Sequence, residues 1–207
     1  TQNFPQFLGR AGEETVPAEV KITNISESGF SVSWLTKKKI TSGAVKYGET
    51  SSLGQTALDD RDQVKGKMEE YTTHHVTLKY LKPGTTYYFK ILSAGQTYDN
   101  NGEPYKVATG ARISLPPPSL DPAYGTVLKP DNTPAEGAIL YLTLPGTSSL
   151  STLVKSSGNW LIPLNLARTA DLVNYFTSKG EEVEEIFVQA GDEGTALATV
   201  SIQNDSP

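Results

Sequence analysis

Two adjacent histidines, His74 and His75, are the only ones in 207 residues, and the chain contains no cysteine. Metal or acid–base chemistry would therefore have to begin with this pair. They lie in Thr73-His74-His75-Val76-Thr77-Leu78, whose alternation reads as a strand. Neighbouring strand side chains point to opposite faces, so the two rings cannot grip one ion together. A nucleophilic set needs a Ser or Thr beside a His and an orienting acid, and no local spacing assembles one. The run Asp99-Asn100-Asn101-Gly102-Glu103 offers oxygen ligands but lacks the spacing of a calcium loop, and Asn-Gly between strands signals a hairpin turn. No catalytic residue, no metal and no cofactor are expected, and the chain is read as not an enzyme.

Composition agrees with a scaffold rather than a catalyst. Zero cysteines exclude disulfides, zinc-thiolate sites and thiol nucleophiles. Hydrophobic residues make up 37% and charged residues 20%, with 18 Gly and 13 Pro, which fits a folded, turn-rich chain. No apolar run is long enough for a membrane span, and the first residue is Thr1, so any leader or anchor would lie outside this chain. Residues 17 to 114 hold 13 Lys and Arg against 10 Asp and Glu, a net of +3, whereas residues 115 to 207 hold 4 against 11, a net of -7. The halves carry opposite signs, which can steer head-to-tail encounter. Neither is basic enough for nucleic acid.

The elements that would position these residues are strands. In Phe30-Ser31-Val32-Ser33-Trp34 large side chains alternate with serines, predicting one buried and one wet face. Val45 and Tyr47 precede Gly48 in another strand. Asp59 to Glu70 is polar enough to read as a loop. Tyr87, Phe89 and Ile91 follow the turn Leu81-Lys82-Pro83-Gly84-Thr85 at period two.

Trp34 on an early strand, Leu81 before Pro83-Gly84-Thr85, and Tyr87 two residues on resemble a fibronectin type III domain over about residues 17 to 110. The resemblance implies that Trp34 and Leu81 are core residues and that Tyr87 makes a corner hydrogen bond. Tyr47-Gly48 and the His74-His75 strand are also similar to the N-terminal sandwich of purple acid phosphatases, which precedes their catalytic domain. No Arg-Gly-Asp tripeptide is present.

Leu115-Pro116-Pro117-Pro118-Ser119-Leu120-Asp121-Pro122 predicts an extended spacer, residues 115–122, that holds two domains apart. Beyond it, Gly125-Thr126-Val127, a Pro-bearing turn at 130–134, Gly137-Ala138 with an apolar strand, and Ser157-Gly158-Asn159-Trp160 resemble a carboxypeptidase regulatory-like (transthyretin-like) sandwich, residues 123–207. The plan is close to that of collagen-adhesin B-type repeats, in which Lys to Asn crosslinks occur. Lys129, Asn204 and Glu136 are the residues that such a crosslink would need here, but no full motif is matched. Ala167 to Lys179 reads as a loop or one to two helical turns, and Glu181-Glu182 with Glu184-Glu185 as a solvated acidic face. Ala196, Ala198, Val200 and Ile202 share one face of a last strand.

The expected fold is thus all-β, two tandem Greek-key β-sandwiches (17–114 and 123–207) joined by a Pro-rich linker and preceded by an extended tail, residues 1–16. The tail carries Phe4, Phe7 and Leu8, and such tails order only when something holds them. It is expected to contact a neighbouring subunit. The functional expectation is a non-enzymatic structural or adhesive protein of a bacterial cell surface or the extracellular space. Its partners would be copies of itself or another surface protein, assembled as a head-to-tail filament. The alternative is a carbohydrate-binding or accessory module of a larger secreted or surface enzyme, with Tyr88, Tyr98, Tyr105 and Tyr124 stacking on glycans. Asn24-Ile25-Ser26 is a glycosylation sequon if the host uses one.

Overall fold

The computed structural model describes residues 12–201, and these form an all-β fold of antiparallel sheets. The first sandwich contains β1 (Ala18–Thr23), β2 (Phe30–Leu35), β3 (Gly43–Gly48), β4 (Gln55–Leu58), β5 (Thr73–Leu78), β6 (Thr86–Ser93), β7 (Gln96–Tyr98) and β8 (Tyr105–Ala108). One sheet has the order β1-β2-β5, and the other β4-β3-β6-β7 with β8 also on β6. Phe30, Val32 and Trp34 of β2 meet Val76 and Leu78 of β5 and Phe89 and Ile91 of β6 in a single core. Trp34 and Leu81 are buried in it, and the Tyr87 hydroxyl accepts the Lys82 backbone N–H at 2.9 Å. That bond pins the turn into β6 as the fibronectin type III resemblance implies.

The polar stretch after β4 is not all loop. It contains α1 (Asp60–Lys65), capped by the Asp59 side chain, which accepts the Arg61 N–H, and closed by Gly66 at φ 70°. An acid at the N-cap and a glycine in the left-handed region are the ordinary helix boundaries. Apolar periodicity is missing because the helix is anchored by charge.

The second sandwich contains β9 (Ala123–Thr126), β10 (Ile139–Thr143), β11 (Leu150–Leu153), β12 (Asn159–Ile162), β13 (Val183–Gln189) and β14 (Thr195–Ser201). A four-stranded sheet, β11-β10-β13-β14, faces the two-stranded pair β12-β9. Leu140, Leu142, Trp160, Ile162, Ile186 and Val188 form its core. Residues 167–179 hold no helix but an Arg168–Tyr175 bridge. The acidic run is not wholly solvated: Glu184 is 1% exposed. Glu182 accepts the Lys179 N–H (2.7 Å) and the Ser178 hydroxyl (2.7 Å), and these bonds hold its carboxyl down at about 2.

The proline linker does not hold the sandwiches apart. The outer face of the β1-β2-β5 sheet lies against the second sandwich, so β2 is buried on both faces and Ser31 and Ser33 are as inaccessible as Val32. The serines are dry because another domain covers them.

Candidate functional site at the interdomain seam

The seam is built from short polar side chains on β1, β2 and β5 meeting β10 and β11. Ser33 and Tyr141 share a hydrogen bond of 2.8 Å, and Thr73 donates to the Gly137 carbonyl at 2.6 Å. Asn24 donates to the Ser151 carbonyl at 3.0 Å and accepts the Ser151 N–H at 2.9 Å. Gly137 and Gly191 adopt φ 78° and 64°, and a Cβ on either would meet first-sandwich side chains, Arg61 and Thr72 respectively. Lys21 lies over the rings of Tyr141 (4.0 Å) and Phe187 (4.5 Å), where burial lowers its pKa. Burial likewise pushes the Tyr141 phenol up to about 12, with Glu19 adding to the shift and the Ser33 bond opposing it.

Arg168 closes one end of the seam. It is 2% exposed and donates to the carbonyls of Ala111 (2.6 Å) and Leu172 (3.0 Å) and to the Glu27 carboxylate (3.3 Å). A buried guanidinium needs this many acceptors to offset its lost hydration. At another point Gln189 donates to Glu19 at 3.0 Å.

At the centre stands a set that sequence reasoning missed. His75 Nδ1 lies 2.8 Å from Asp60 Oδ2, and His75 Nε2 lies 2.8 Å from Ser151 Oγ. The carboxylate only accepts, so Nδ1 donates to it, and Nε2 is left facing the Ser151 hydroxyl. Asp60 also takes the Thr77 N–H and hydroxyl, both at 2.7 Å. The acid comes from α1, the imidazole from β5 and the hydroxyl from the other domain. This acid–imidazole–hydroxyl order is that of a nucleophilic triad, and a cleft of about 660 Å³ lined by Arg61, Lys65 and Lys155 runs beside it.

The surroundings of the hydroxyl favour structure over catalysis. Ser151 is 6% exposed, and Thr23 Oγ1 lies 2.5 Å from its Oγ. Its backbone N–H is already given to Asn24, so it is not free to stabilise an oxyanion, the term on which acyl transfer depends most. Ser151 also sits within a paired strand and not at an exposed strand-to-helix turn.

A second acid, Asp59, braces the same region. It is fully buried and accepts from Arg61 Nε (2.8 Å), Arg61 Nη2 (2.9 Å) and the His75 N–H (3.1 Å). Burial alone would raise its pKa, but the Arg61 guanidinium outweighs that and holds the carboxyl far below the ordinary range. His74 points the other way, into the first core: it stacks on Trp34 at 4.7 Å, and its Nε2 meets Thr41 Oγ1 at 3.0 Å. The two imidazoles thus serve different faces.

Phe4, Phe7, Leu8 and Asn204 lie outside the described residues, as does Ile202. Lys129 is paired with Glu193 at 2.5 Å. Tyr98 and Tyr105 lie on the core side of the first sandwich, packed against its cluster, with Tyr105 stacked on Phe89 at 4.9 Å. Tyr88 occupies the opposite face of β6, and Tyr124 stands 44% exposed on the other sandwich. The four tyrosines share no platform. Asp99 is tied to Lys90 at 2.8 Å and to the Gly102 N–H at 2.9 Å, a closed turn. Among the described residues no group of three His, Asp or Glu could hold a metal ion.

With the geometry in place, the first sandwich is of the fibronectin type III-like class. Residues 17–109 match the family model described as Purple acid Phosphatase, N-terminal domain. No curated protein matches the chain. Among solved structures, the sensor domain of the anti-sigma factor RsgI4 in Pseudobacteroides cellulosolvens is similar at 17% identity and TM-score 0.32, over 46% of this chain and 98% of that one. A two-domain fibronectin type III segment of chicken tenascin is similar at 12% identity and TM-score 0.28, over 89% and 98%. The FN1-FN3 domains of chicken CNTN1 are similar at 12% identity and TM-score 0.32, over 88% and 64%. These likenesses are loose and identify neither activity nor ligand. No helix among the described residues is long and apolar enough to cross a membrane.

Proposed function

We propose that this chain is a non-enzymatic structural or adhesive protein of a bacterial cell exterior, whose two sandwiches act as one rigid subunit and whose tail joins it head to tail to another copy. The observation that carries the reading is the seam. Domains that work independently meet through small, loosely bonded surfaces, whereas here Asn24, Ser33, His75 and Arg168 each make buried or half-buried bonds across the boundary. A fixed angle between two sandwiches is what a load-bearing or filament subunit requires. The second sandwich is read as a carboxypeptidase regulatory-like module on its Gly125 to Trp160 motif series. Opposite net charges on the two halves supply orientation for head-to-tail contact.

The family match favours one second reading, an accessory module of a larger secreted or surface enzyme. Light scattering with negative-stain microscopy separates the two, applied to the full chain and to a deletion of residues 1–11. Oligomers that vanish on deletion and weaken in high salt are expected. Monomers under every condition would leave the accessory reading in place of the filament.

A further inference from the structure

The free edge at β11 is partly closed by the first sandwich and then left open. Asn24 behaves there as a strand residue: its N–H donates to the Ser149 carbonyl at 3.0 Å, and its side chain takes the Ser151 N–H and gives to the Ser151 carbonyl. The backbone groups of Ser151 therefore face away from β10, and Ser151 with Tyr141 is a non-hydrogen-bonded pair. Two residues on, Leu153 opposes Ile139 in the same phase. The Val154 N–H turns inward instead, to the Ala138 carbonyl at 2.8 Å. The Leu153 N–H and carbonyl thus point out of the sheet edge, and no described residue takes either.

This open rung lies on the cleft of about 660 Å³ beside His75, whose other wall includes α1. Ser151 turns its side chain toward His75, so Leu153 turns its own to the same side. Val64 of α1 also lines the cleft and is 88% exposed, an apolar side chain on a helix anchored by charge. Arg61 is held rigidly: Asp59 takes Nε and Nη2, the Thr73 carbonyl takes Nη2 as well, and the Tyr71 ring lies 3.5 Å from Cζ. Nη1 is left without an acceptor among the described residues, beside Gly137, whose Cβ would fall 3.0 Å from it. Lys65 is engaged by Glu69, whereas Lys155 makes no ion pair among the described residues. Of the two acids on the cleft, Asp60 has both oxygens committed to Thr77 and His75, and Glu136 is exposed.

We infer that this cleft seats the free C-terminus of an extended peptide from a partner protein, which pairs with Leu153, lays an apolar side chain against Val64 and Leu153, and sets its carboxylate on Arg61 Nη1 and Lys155. Strand addition to an open edge supplies main-chain bonds, and flanking side chains select what is added. A peptide is favoured over a small anion because an anion alone would leave the Leu153 rung and Val64 unmatched. A terminus is favoured over a passing strand because only one rung is open: Asn24 closes the edge at Ser151, and the Lys155 N–H is already given to the Asn159 carbonyl at 3.0 Å. A fixed guanidinium with free Nη1 hydrogens suits a carboxylate. The seat lies between two sandwiches, a place where ligand clefts commonly form, and it does not depend on the head-to-tail reading.

Nuclear magnetic resonance of the nitrogen-labelled full chain tests this. The chain is titrated with a pool of randomised acetyl-tripeptides bearing a free carboxylate, with the same pool amidated at its C-terminus, and with acetate. The carboxylate pool is expected to shift the amide signals of Val64, Leu153 and Lys155 saturably. Binding is expected to be about tenfold weaker for the amidated pool and for Lys155→Glu, and tighter for Glu136→Gln. Both substitutions are at exposed positions, and an otherwise unchanged amide spectrum shows that the fold and seam are intact. Equal binding of the amidated pool would overturn the terminus in favour of an internal segment. Acetate that binds as strongly as the pool would overturn the peptide, and undiminished binding by Lys155→Glu would overturn the carboxylate seat. No saturable shift with any of the three would overturn the site itself.

Discussion

At the scale of single residues, Ser151 and Asp59 separate a catalytic seam from a structural one. Ser151 has the partners of a nucleophile, but its hydroxyl is enclosed and its N–H is committed to Asn24. An alkyl fluorophosphonate is therefore expected to leave Ser151 unlabelled under conditions that modify a serine hydrolase; stoichiometric adduct on Ser151 by mass spectrometry would contradict the structural assignment. Asp59 holds its charge because Arg61 brackets it. A carboxyl depressed in the folded state contributes stability that is complete above its unfolded pKa, about 4, and is lost as pH falls toward the folded value. Asp59→Asn is expected to cost about 3 kcal/mol at neutral pH by leaving Arg61 without its charge partner. Its unfolding midpoint in urea is also expected to vary less than that of the parent chain between pH 5 and pH 3.

At the scale of elements, β3 and β5 show why one glycine is where it is. A Cβ on Gly43 would fall 2.2 Å from His74 Nδ1, and His74 has nowhere to go because Trp34 covers its ring. Gly43→Ala is expected to destabilise by about 1–3 kcal/mol through overpacking, whereas Gly54→Ala, with nothing within 4 Å of its Cβ, serves as a near-neutral control in the same denaturation series. The alternation in β2 and β6 was legible because it is local, and the turn into β6 was legible because Leu81 to Tyr87 is a contiguous motif. α1 carried readable boundaries in Asp59 and Gly66, hidden by its lack of an apolar stripe. The seam was not legible. Asp60, His75 and Ser151 are 15 and 76 residues apart, and nothing in the pattern of β2 distinguishes a serine face that meets water from one that meets Tyr141.

At the scale of the whole molecule, the opposite charges of the two halves are not spent by the Glu27–Arg168 pair that joins them. Glu27 belongs to the basic half and Arg168 to the acidic half, so this bridge crosses the boundary against the net signs and leaves the remaining surface asymmetry larger. Polar bonds between the two sandwiches fix their docking. Scanning calorimetry of the chain against Asn24→Gly with Tyr141→Phe tests that most directly. The first change deletes the Asn24 bonds to Ser151 while accommodating the φ of 55° at that position, and the second removes the hydroxyl that meets Ser33. One cooperative transition in the parent chain, resolving into two in the variant, is the expected result. Two independent transitions in the parent chain, unmoved by the substitutions, would contradict a rigid two-sandwich unit.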